Sequence, residues 1–288
     1  MNFTIFKQYL EIIKPKIILG NLIPVIGGFF LAAKGDIHFF LLLNVLIGTF
    51  LVIASGCVFN NIIDKDIDKK MHRTRNRALP KKLVSINFAF SYGTFLGVLG
   101  FLYLFFFTNI LVFFLNFIGF LIYVFLYSKY MKPNFVYSTI IGGFSGSLPP
   151  IIGYSVVENK INLCTLFLFL IFLCWQIIHF YSISIFRFHD YKSADIPVFS
   201  VVNGIRKTQY NILLYIIFFI FFSIFLYILN VTNYLYFLSI SVLGSCWFIL
   251  GILTINCFSY TLWSKIMFFI SIGVIFFFSF LISVCYVS

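Results

Sequence analysis

Residues 39 to 80 place a long apolar run, FFLLLNVLIGTFLVIASGCVF, directly before a charged run, NNIIDKDIDKKMHRTRNRALP. The apolar run covers positions 39 to 59, carries no charge and is long enough to cross the hydrocarbon core of a bilayer as a helix. The charged run holds three of the eight carboxylates of the chain, Asp64, Asp66 and Asp68. This stretch therefore predicts a transmembrane helix that ends in a charged site.

The rest of the chain has the composition of a membrane protein. Of its 288 residues, 62% are hydrophobic and 10% are charged, whereas soluble domains carry roughly 25% charged residues. We predict one all-α, polytopic transmembrane domain that covers residues 1 to 288, with no separate soluble domain. Apolar segments long enough to span a bilayer occur at nine places: 17–33, 39–59, 84–106, 110–127, 137–157, 162–186, 211–229, 233–257 and 266–286.

The Lys and Arg residues are distributed unevenly over the predicted loops. If the amino terminus is cytoplasmic, eighteen of the twenty cations, Lys7 included, fall on the cytoplasmic side, and only Lys34 and Lys160 fall outside. The positive-inside rule favours this topology, which leaves the carboxyl-terminal segment on the outer side. The rule also accounts for the net charge of +12. The lipid bilayer is therefore an expected partner, and nucleic acid is not.

The acids of the charged run are spaced for a shared helix face. Asn60, Asp64 and Asp68 are four residues apart and lie along one side of a helix, whereas Asp66 falls on the other side. Carboxylate and amide oxygens are the hard ligands that Mg²⁺ accepts while it also binds a substrate phosphate. The alternative is a solvated helix end with ordinary surface salt bridges. A site is favoured because a chain so poor in acids concentrates three of them within five residues.

Cations follow these acids at Arg73, Arg75 and Arg77. Guanidinium groups bind phosphate oxygens through paired N–H donors. Acids and cations in this order predict a site that holds a phosphorylated substrate together with a metal ion.

A second polar segment, WQIIHFYSISIFRFHDYKSADIP, runs from Trp175 to Pro197 and includes His179 in a predicted span. Ionisable groups within a span are costly and suggest function, although an interhelical hydrogen bond would equally account for this histidine. Asp190 and Asp195 are predicted on the same membrane side as the first acids, as a second metal half-site. Lys192, beside them, is a candidate for binding phosphate or, alternatively, an interfacial anchor.

A third, weaker segment at 129 to 154 contains the small residues Gly142, Gly143 and Gly146. Such residues allow close helix packing or leave room for a flat ligand, and the spacing favours packing.

Two acidic segments, neighbouring cations and an aromatic bundle with 43 Phe and 17 Tyr suit a substrate with a diphosphate head and a long isoprenoid tail. A metal ion and Arg or Lys would stabilise the departing diphosphate. Aromatic faces would stabilise an allylic cation.

The N-x-x-x-D-x-x-x-D pattern at Asn60, Asp64 and Asp68 resembles the first motif of the UbiA-type intramembrane prenyltransferases. Its longer context, ASGCVFNNIIDKDIDKKMHRTRNR from Ala54, is similar to the branch of that family that farnesylates protohaem IX. Three further segments carry the same resemblance, which extends over nearly the whole chain: KPK at 14–16, GGFSGSLPPIIG at 142–153 and HFYSISIFRFHDY at 179–191.

The resemblance implies nine helices around a central cavity in a bacterial inner membrane, with a periplasmic carboxyl terminus and an active site that faces the cytoplasm. It further implies transfer of the farnesyl group of farnesyl diphosphate, bound through Mg²⁺, to a vinyl group of haem b, with water added to give haem O and diphosphate. Terminal oxidase assembly components are candidate partners. Position by position, the resemblance implies that Asn60, Asp64 and Asp68 bind magnesium diphosphate and that Arg73 and Arg77 contact its phosphates. It places Asp190 in the second acidic motif. It makes His179 and Trp175 candidates for contacting haem.

Two alternatives remain open at this point. A quinone precursor or another aromatic acceptor would use the same diphosphate chemistry. A cation-coupled transporter would instead carry its acids near the middle of the bilayer.

Overall fold

The computed structural model describes the backbone of residues 3 to 287 and the side chains of residues 8 to 287. No β-strand element occurs in that part of the chain. Nine of its helices are long and apolar enough to cross a membrane, which confirms the predicted number of spans. They are α1 Pro15–Ala33, α2 Phe39–Ile63, α3 Ile86–Phe107, α4 Ile110–Asn134, α5 Ser138–Glu158, α6 Leu163–Phe186, α7 Ile205–Ile228, α8 Tyr234–Thr254 and α9 Tyr260–Val284.

Shorter helices lie between the spans. One precedes α1, one follows α2 and two follow α6. Their bounds are Phe3–Ile12, Lys65–Lys70, Phe188–Ser193 and Phe199–Asn203. Residues 71 to 80, the second half of the first charged segment, form turns and bends.

Two spans depart from regular α-helix. α4 consists of Ile110–Leu121, a π-helical stretch Ile122–Met131 and a final turn Lys132–Asn134, so it extends seven residues beyond its predicted end at 127. α5 is broken into Ser138–Gly146 and Pro149–Glu158. The second piece begins with two prolines, which the first turn of a helix accepts because its N–H groups have no intrahelical partner.

The nine spans form a closed ring. Each helix packs against the next along the chain, and α9 packs against α1. Further contacts join α1 to the Pro149–Glu158 half of α5 and α6 to α9. The contact between α1 and α5 brings two backbones together, because a Cβ added at Gly28 would lie 2.8 Å from the Pro150 carbonyl carbon, and one added at Gly153 would lie 2.8 Å from the Val25 carbonyl carbon.

The two predicted acidic segments meet at one end of the ring, which we call the acidic end and define by Asp64, Asp68, Asp190 and Asp195. The even-numbered helices end there and the odd-numbered helices begin there. Met71 packs in a small apolar cluster of the α2–α3 and α6–α7 connections, the other buried members being Ala194, Ile196 and Val198.

Which membrane side the acidic end faces stays a prediction from the charge distribution. The predicted locations of the termini concern residues 1, 2 and 288, which lie outside the described residues. Lys7, one of the cations counted for that prediction, lies outside the described side chains.

Candidate active site

The predicted acidic face is buried at the acidic end of α2. Asn60, Asp64 and Asp68 are each no more than 4% exposed. The helical course continues past the end of α2, because the Asp64 N–H bonds the Asn60 carbonyl and the Asp68 N–H bonds the Asp64 carbonyl. Asp66 points to solvent, as its spacing predicts, and pairs with Lys69 at 2.7 Å. This hydrogen bond lowers the pKa of the Asp66 carboxyl group.

A cation approaches each of the three buried side chains. Two buried carboxylates and one buried amide thus face two lysines and one arginine. The pairs are Lys14 Nζ with Asn60 Oδ1 at 2.5 Å, Lys132 Nζ with Asp64 Oδ2 at 2.6 Å and Arg77 Nη1 with Asp68 Oδ2 at 2.8 Å.

The structure brings only some of the predicted cations to this cluster. Arg77 is there, whereas Arg73, Arg75 and Lys192 are exposed. Lys14 and Lys132 belong to the cluster and were missed by sequence reasoning. Neither lysine carries a local signal, because the contacts that bring them to Asn60 and Asp64 join residues 46 and 68 positions apart.

The π-helical stretch of α4 contributes to the cluster. The Ser128 hydroxyl donates to the Tyr123 carbonyl, five residues earlier, at 2.8 Å and accepts a hydrogen bond from the Asn60 side chain at 2.9 Å. Lys132 follows directly and reaches Asp64. Because π-helical turns are rare and frequent at functional sites, this segment belongs to the candidate site.

Lys14 is held in an unusual environment. Its backbone is left-handed, with φ 54°, a conformation that costs a non-glycine residue about 1 kcal/mol or more. Burial disfavours the charged ammonium and lowers the pKa of Lys14 to about 8. A cavity of about 250 Å³ lies beside Lys14 and Arg77, so two of the three cations adjoin free space.

The donor set suits a hard divalent cation in one respect. Asp64 Oδ1 is buried and accepts no hydrogen bond from residues 8 to 287, which is costly for a carboxylate oxygen unless a cation or donor arrives. Among residues 8 to 287, however, no three His, Cys, Asp or Glu side chains form a group that could hold one metal ion. An ion at this site therefore requires amide, phosphate or water oxygens in addition to Asp64 and Asp68.

Asp190 and Asp195 lie on the second connection and contact the first. Asp190 is half-buried, and its Oδ1 accepts a hydrogen bond from the His72 backbone N–H at 3.0 Å. Asp195 is exposed and pairs with Lys70 at 3.2 Å. Both acids thus join the two connections, and the role of Asp190 as a metal ligand stays a prediction.

The two residues predicted to contact haem lie in α6 and face α9. The Trp175 indole N–H donates to the Ser271 carbonyl at 2.7 Å, and His179 Nδ1 lies 2.8 Å from the Ser271 hydroxyl oxygen. The interhelical hydrogen bond considered for His179 is therefore present. A role of either side chain in haem binding stays a prediction.

The small residues of α5 serve packing. A Cβ at Gly142 would meet the Tyr127 ring at 3.0 Å, and one at Gly146 would overlap the Gln176 side chain. Neighbouring side chains thus occupy the space beside these glycines, as the spacing predicts.

The ion pair between Lys132 and Asp64 should contribute to the folding stability of the protein. The two side chains are 14% and 4% exposed, and removal of one partner leaves the other charge buried and uncompensated. We expect Lys132→Met to lower the free energy of unfolding by about 3 kcal/mol. Thermal unfolding of the detergent-solubilised protein measures this effect. Lys129→Met, an exposed lysine of the same helix, is the matched control and should unfold like the wild type; equal midpoints for the two variants would contradict the prediction.

Comparison with known proteins adds family evidence to this geometry. The model of the UbiA prenyltransferase family matches residues 21 to 283. A Pectobacterium carotovorum protein named protoheme IX farnesyltransferase is 53% identical over 213 residues, which cover 74% of this chain and 72% of the relative. An Acinetobacter baumannii protein of the same name is 44% identical over 266 residues, which cover 92% and 91%.

Solved structures share the fold. A digeranylgeranylglyceryl phosphate synthase matches with a TM-score of 0.76 and 22% identity, over 96% of this chain and 99% of that chain. A UbiA homolog from Archaeoglobus fulgidus, solved with DMAPP and Mg²⁺, matches with a TM-score of 0.72 and 15% identity, over 93% and 99%. These likenesses confirm the predicted all-α transmembrane fold.

Proposed function

This chain belongs to the UbiA prenyltransferase family, and we propose that it transfers the farnesyl group of farnesyl diphosphate to a vinyl group of haem b. Water adds in the same reaction, and the products are haem O and diphosphate. The choice of haem as acceptor is supported by relatives that are 44% to 54% identical and named protoheme IX farnesyltransferase. The single structural observation that carries the proposal is the buried face of Asn60, Asp64 and Asp68 with its three cations.

The cluster is suited to an anionic head group. Lys14, Arg77 and Lys132 outnumber the two buried carboxylates, so the cluster carries net positive charge when all three cations are protonated. As the carbon–oxygen bond to the farnesyl C1 breaks, negative charge grows on the leaving diphosphate. Fixed cations in a region of low dielectric stabilise that charge. Arg73 and Lys192, both exposed, are further candidates for phosphate contacts.

The oxygens of Asn60, Asp64 and Asp68 would hold Mg²⁺, with Asp190 as the ligand from the second connection. The unpartnered Asp64 Oδ1 and the presence of Mg²⁺ in the structure of the A. fulgidus homolog support this assignment. When bound, Mg²⁺ supplies charge neutralisation at the diphosphate oxygens.

The apolar bundle would accept the remaining parts of both substrates. The chain carries 43 Phe and 17 Tyr, whose ring faces would stabilise a neighbouring cation, and the apolar residues of the bundle would exclude water from the farnesyl tail. As the bond between farnesyl C1 and the diphosphate oxygen breaks, C1 forms a carbon–carbon bond with one vinyl carbon. Water adds to the other vinyl carbon and releases one proton. His179 and Trp175 are candidates for contacting the porphyrin.

We place the protein in a bacterial inner membrane with the acidic end facing the cytoplasm, in accordance with the distribution of its cations. Terminal oxidase assembly components are proposed as recipients of the product. A transporter is disfavoured, because Asp64, Asp68 and Asp190 lie at helix ends and in connections and none lies at the middle of a span.

The proposed acceptor is tested with membranes that contain the overproduced protein. We expect conversion of haem b and farnesyl diphosphate to haem O when Mg²⁺ is supplied, and loss of conversion when EDTA removes it, with haem extracted and identified by chromatography and mass spectrometry. Membranes without the protein are the control. Farnesylation of a hydroxybenzoate acceptor in place of haem would contradict the proposal.

A further inference from the structure

Ser271 of α9 joins two side chains of α6 that lie one helical turn apart. Its carbonyl oxygen accepts the Trp175 indole N–H, and its hydroxyl group contacts His179. Ser271 is fully buried. The imidazole of His179 is therefore fixed in position by a residue for which sequence reasoning found no role.

The hydrogen bonds of Ser271 determine which nitrogen of His179 carries the proton. The Ser271 hydroxyl oxygen lies 2.6 Å from the Phe268 carbonyl oxygen, and that carbonyl can only accept a hydrogen bond. The single hydroxyl proton of Ser271 is thus donated to Phe268. The hydroxyl oxygen must then accept the hydrogen bond from His179, because two acceptors would otherwise face each other at this distance. Nδ1 of His179 therefore carries the proton.

In the neutral imidazole, the other nitrogen then has a free lone pair. No hydrogen bond within residues 8 to 287 reaches Nε2 of His179. Two aromatic rings also restrain the orientation of the imidazole. It stacks on Trp175 with ring centroids 5.1 Å apart, and its centroid lies 4.7 Å from that of the Phe268 ring. A protonated imidazolium in this apolar span would be costly and would leave the Nε2 proton without a partner.

This arrangement is the one that metal-ligating histidines require. Such residues donate the proton of one ring nitrogen to a neighbouring group and bind the metal through the other nitrogen. His179 lies seven residues before the end of α6 at Phe186, or about 10 Å along the helix axis. His179 thus lies in the apolar part of the bundle, below the acidic end.

We propose that Nε2 of His179 ligates the iron of the haem acceptor and that Ser271 is the positioning residue that fixes the imidazole; this inference rests on the proposed function. Ligation holds the porphyrin at a set depth in the bundle. The edge of the macrocycle, which carries the vinyl groups, is then oriented with respect to the diphosphate cluster. The iron is part of the substrate and is not consumed.

The test uses the purified full-length protein in detergent, loaded with haem b. Optical and electron paramagnetic resonance spectra of the wild type should show histidine-ligated iron. We expect His179→Gln to lose this signature, because glutamine can still hydrogen-bond Ser271 but lacks an imidazole nitrogen. Added imidazole should restore the signature in His179→Ala. His38→Ala, which removes an exposed histidine directly before α2, is the matched control and should keep the wild-type spectrum.

Ser271→Ala separates positioning from packing. If Ser271 fixes the ring, this variant should show a mixture of ligation states although the protein remains folded. Wild-type spectra in the His179 variants would overturn the inference, and so would spectra in which only the His38 variant differs.

Farnesyl transfer is measured in parallel to keep the two proposals distinguishable. If the wild type makes haem O while the His179 variants keep an unchanged spectrum, the ligation inference fails and the proposed function stands. If the wild type makes no haem O, the proposed function fails, and histidine ligation of haem as a substrate is overturned with it.

Discussion

We expect Asp64→Asn and Asp68→Asn each to lower the kcat of farnesyl transfer by about 1000-fold or more, equivalent to about 4 kcal/mol of transition-state stabilisation. Asparagine keeps the size of the side chain and removes the negative charge that a divalent cation requires. Asp68 also holds Arg77 at 2.8 Å, so its loss disturbs a cation of the site as well. The measurement is haem O formation at saturating haem b, farnesyl diphosphate and Mg²⁺.

Asp66→Asn is the matched control for these variants. Asp66 lies in the same motif, but its side chain is 69% exposed and pairs with Lys69. We expect it to retain activity close to that of the wild type. Full turnover by Asp64→Asn or Asp68→Asn, or an equal loss in Asp66→Asn, would contradict the assignment of the buried face.

Substitution of Asp64 is expected to affect both the stability of the protein and its catalytic rate, and the two effects must be distinguished. Removal of Asp64 leaves Lys132 buried without a partner, which destabilises the protein by the same mechanism as Lys132→Met. The double variant Asp64→Asn/Lys132→Met should recover thermal stability, because both partners are then uncharged, and it should remain inactive. A double variant that regains activity would show that Asp64 acts only through Lys132.

The second large effect concerns the contact between α1 and α5. We expect Gly28→Ala and Gly153→Ala each to destabilise the protein by about 3 kcal/mol or more, since overpacking at a backbone contact cannot be relieved by a rotamer change. The added methyl group at Gly28 would overlap the Pro150 carbonyl oxygen, and that at Gly153 the Val25 carbonyl oxygen. The yield of monodisperse protein and its unfolding temperature in detergent measure the effect.

Gly20→Ala provides the control on the same helix as Gly28. A Cβ at Gly20 would meet no atom of the described part of the chain within 4 Å, and replacement of a helical glycine by alanine favours the helix by about 0.5 kcal/mol. This variant should be at least as stable as the wild type. Equal stability of Gly20→Ala and Gly28→Ala would show that α1 and α5 are farther apart than the structure places them.

Much of the candidate site could be predicted from local spacing. Helical periodicity alone separates Asn60, Asp64 and Asp68 from Asp66, and burial follows that separation in the structure. Lys14 and Lys132 could not be assigned in the same way. They reach the motif from residues 46 and 68 positions away, and no local pattern specifies which distant lysine will face a given carboxylate.

His179 illustrates the same limit within one span. Its presence in an apolar helix indicates a role, but the state of its ring depends on Ser271, 92 residues later. The choice between a structural hydrogen bond and a ligating nitrogen is a question of proton placement. That placement depends on the contact between His179 of α6 and the Ser271 hydroxyl of α9, which only the packing of the two helices creates.

The sequence by itself determined that the chain spans a membrane nine times and that an acidic face ends its second span, because hydropathy and helical periodicity are properties of neighbouring residues. Only the tertiary structure decided which cations neutralise that face, that α4 adopts a π-helical course beside it, and that α1 and α5 touch through their backbones. These features depend on how the closed ring brings distant helices together, and packing of that kind is set by the whole bundle.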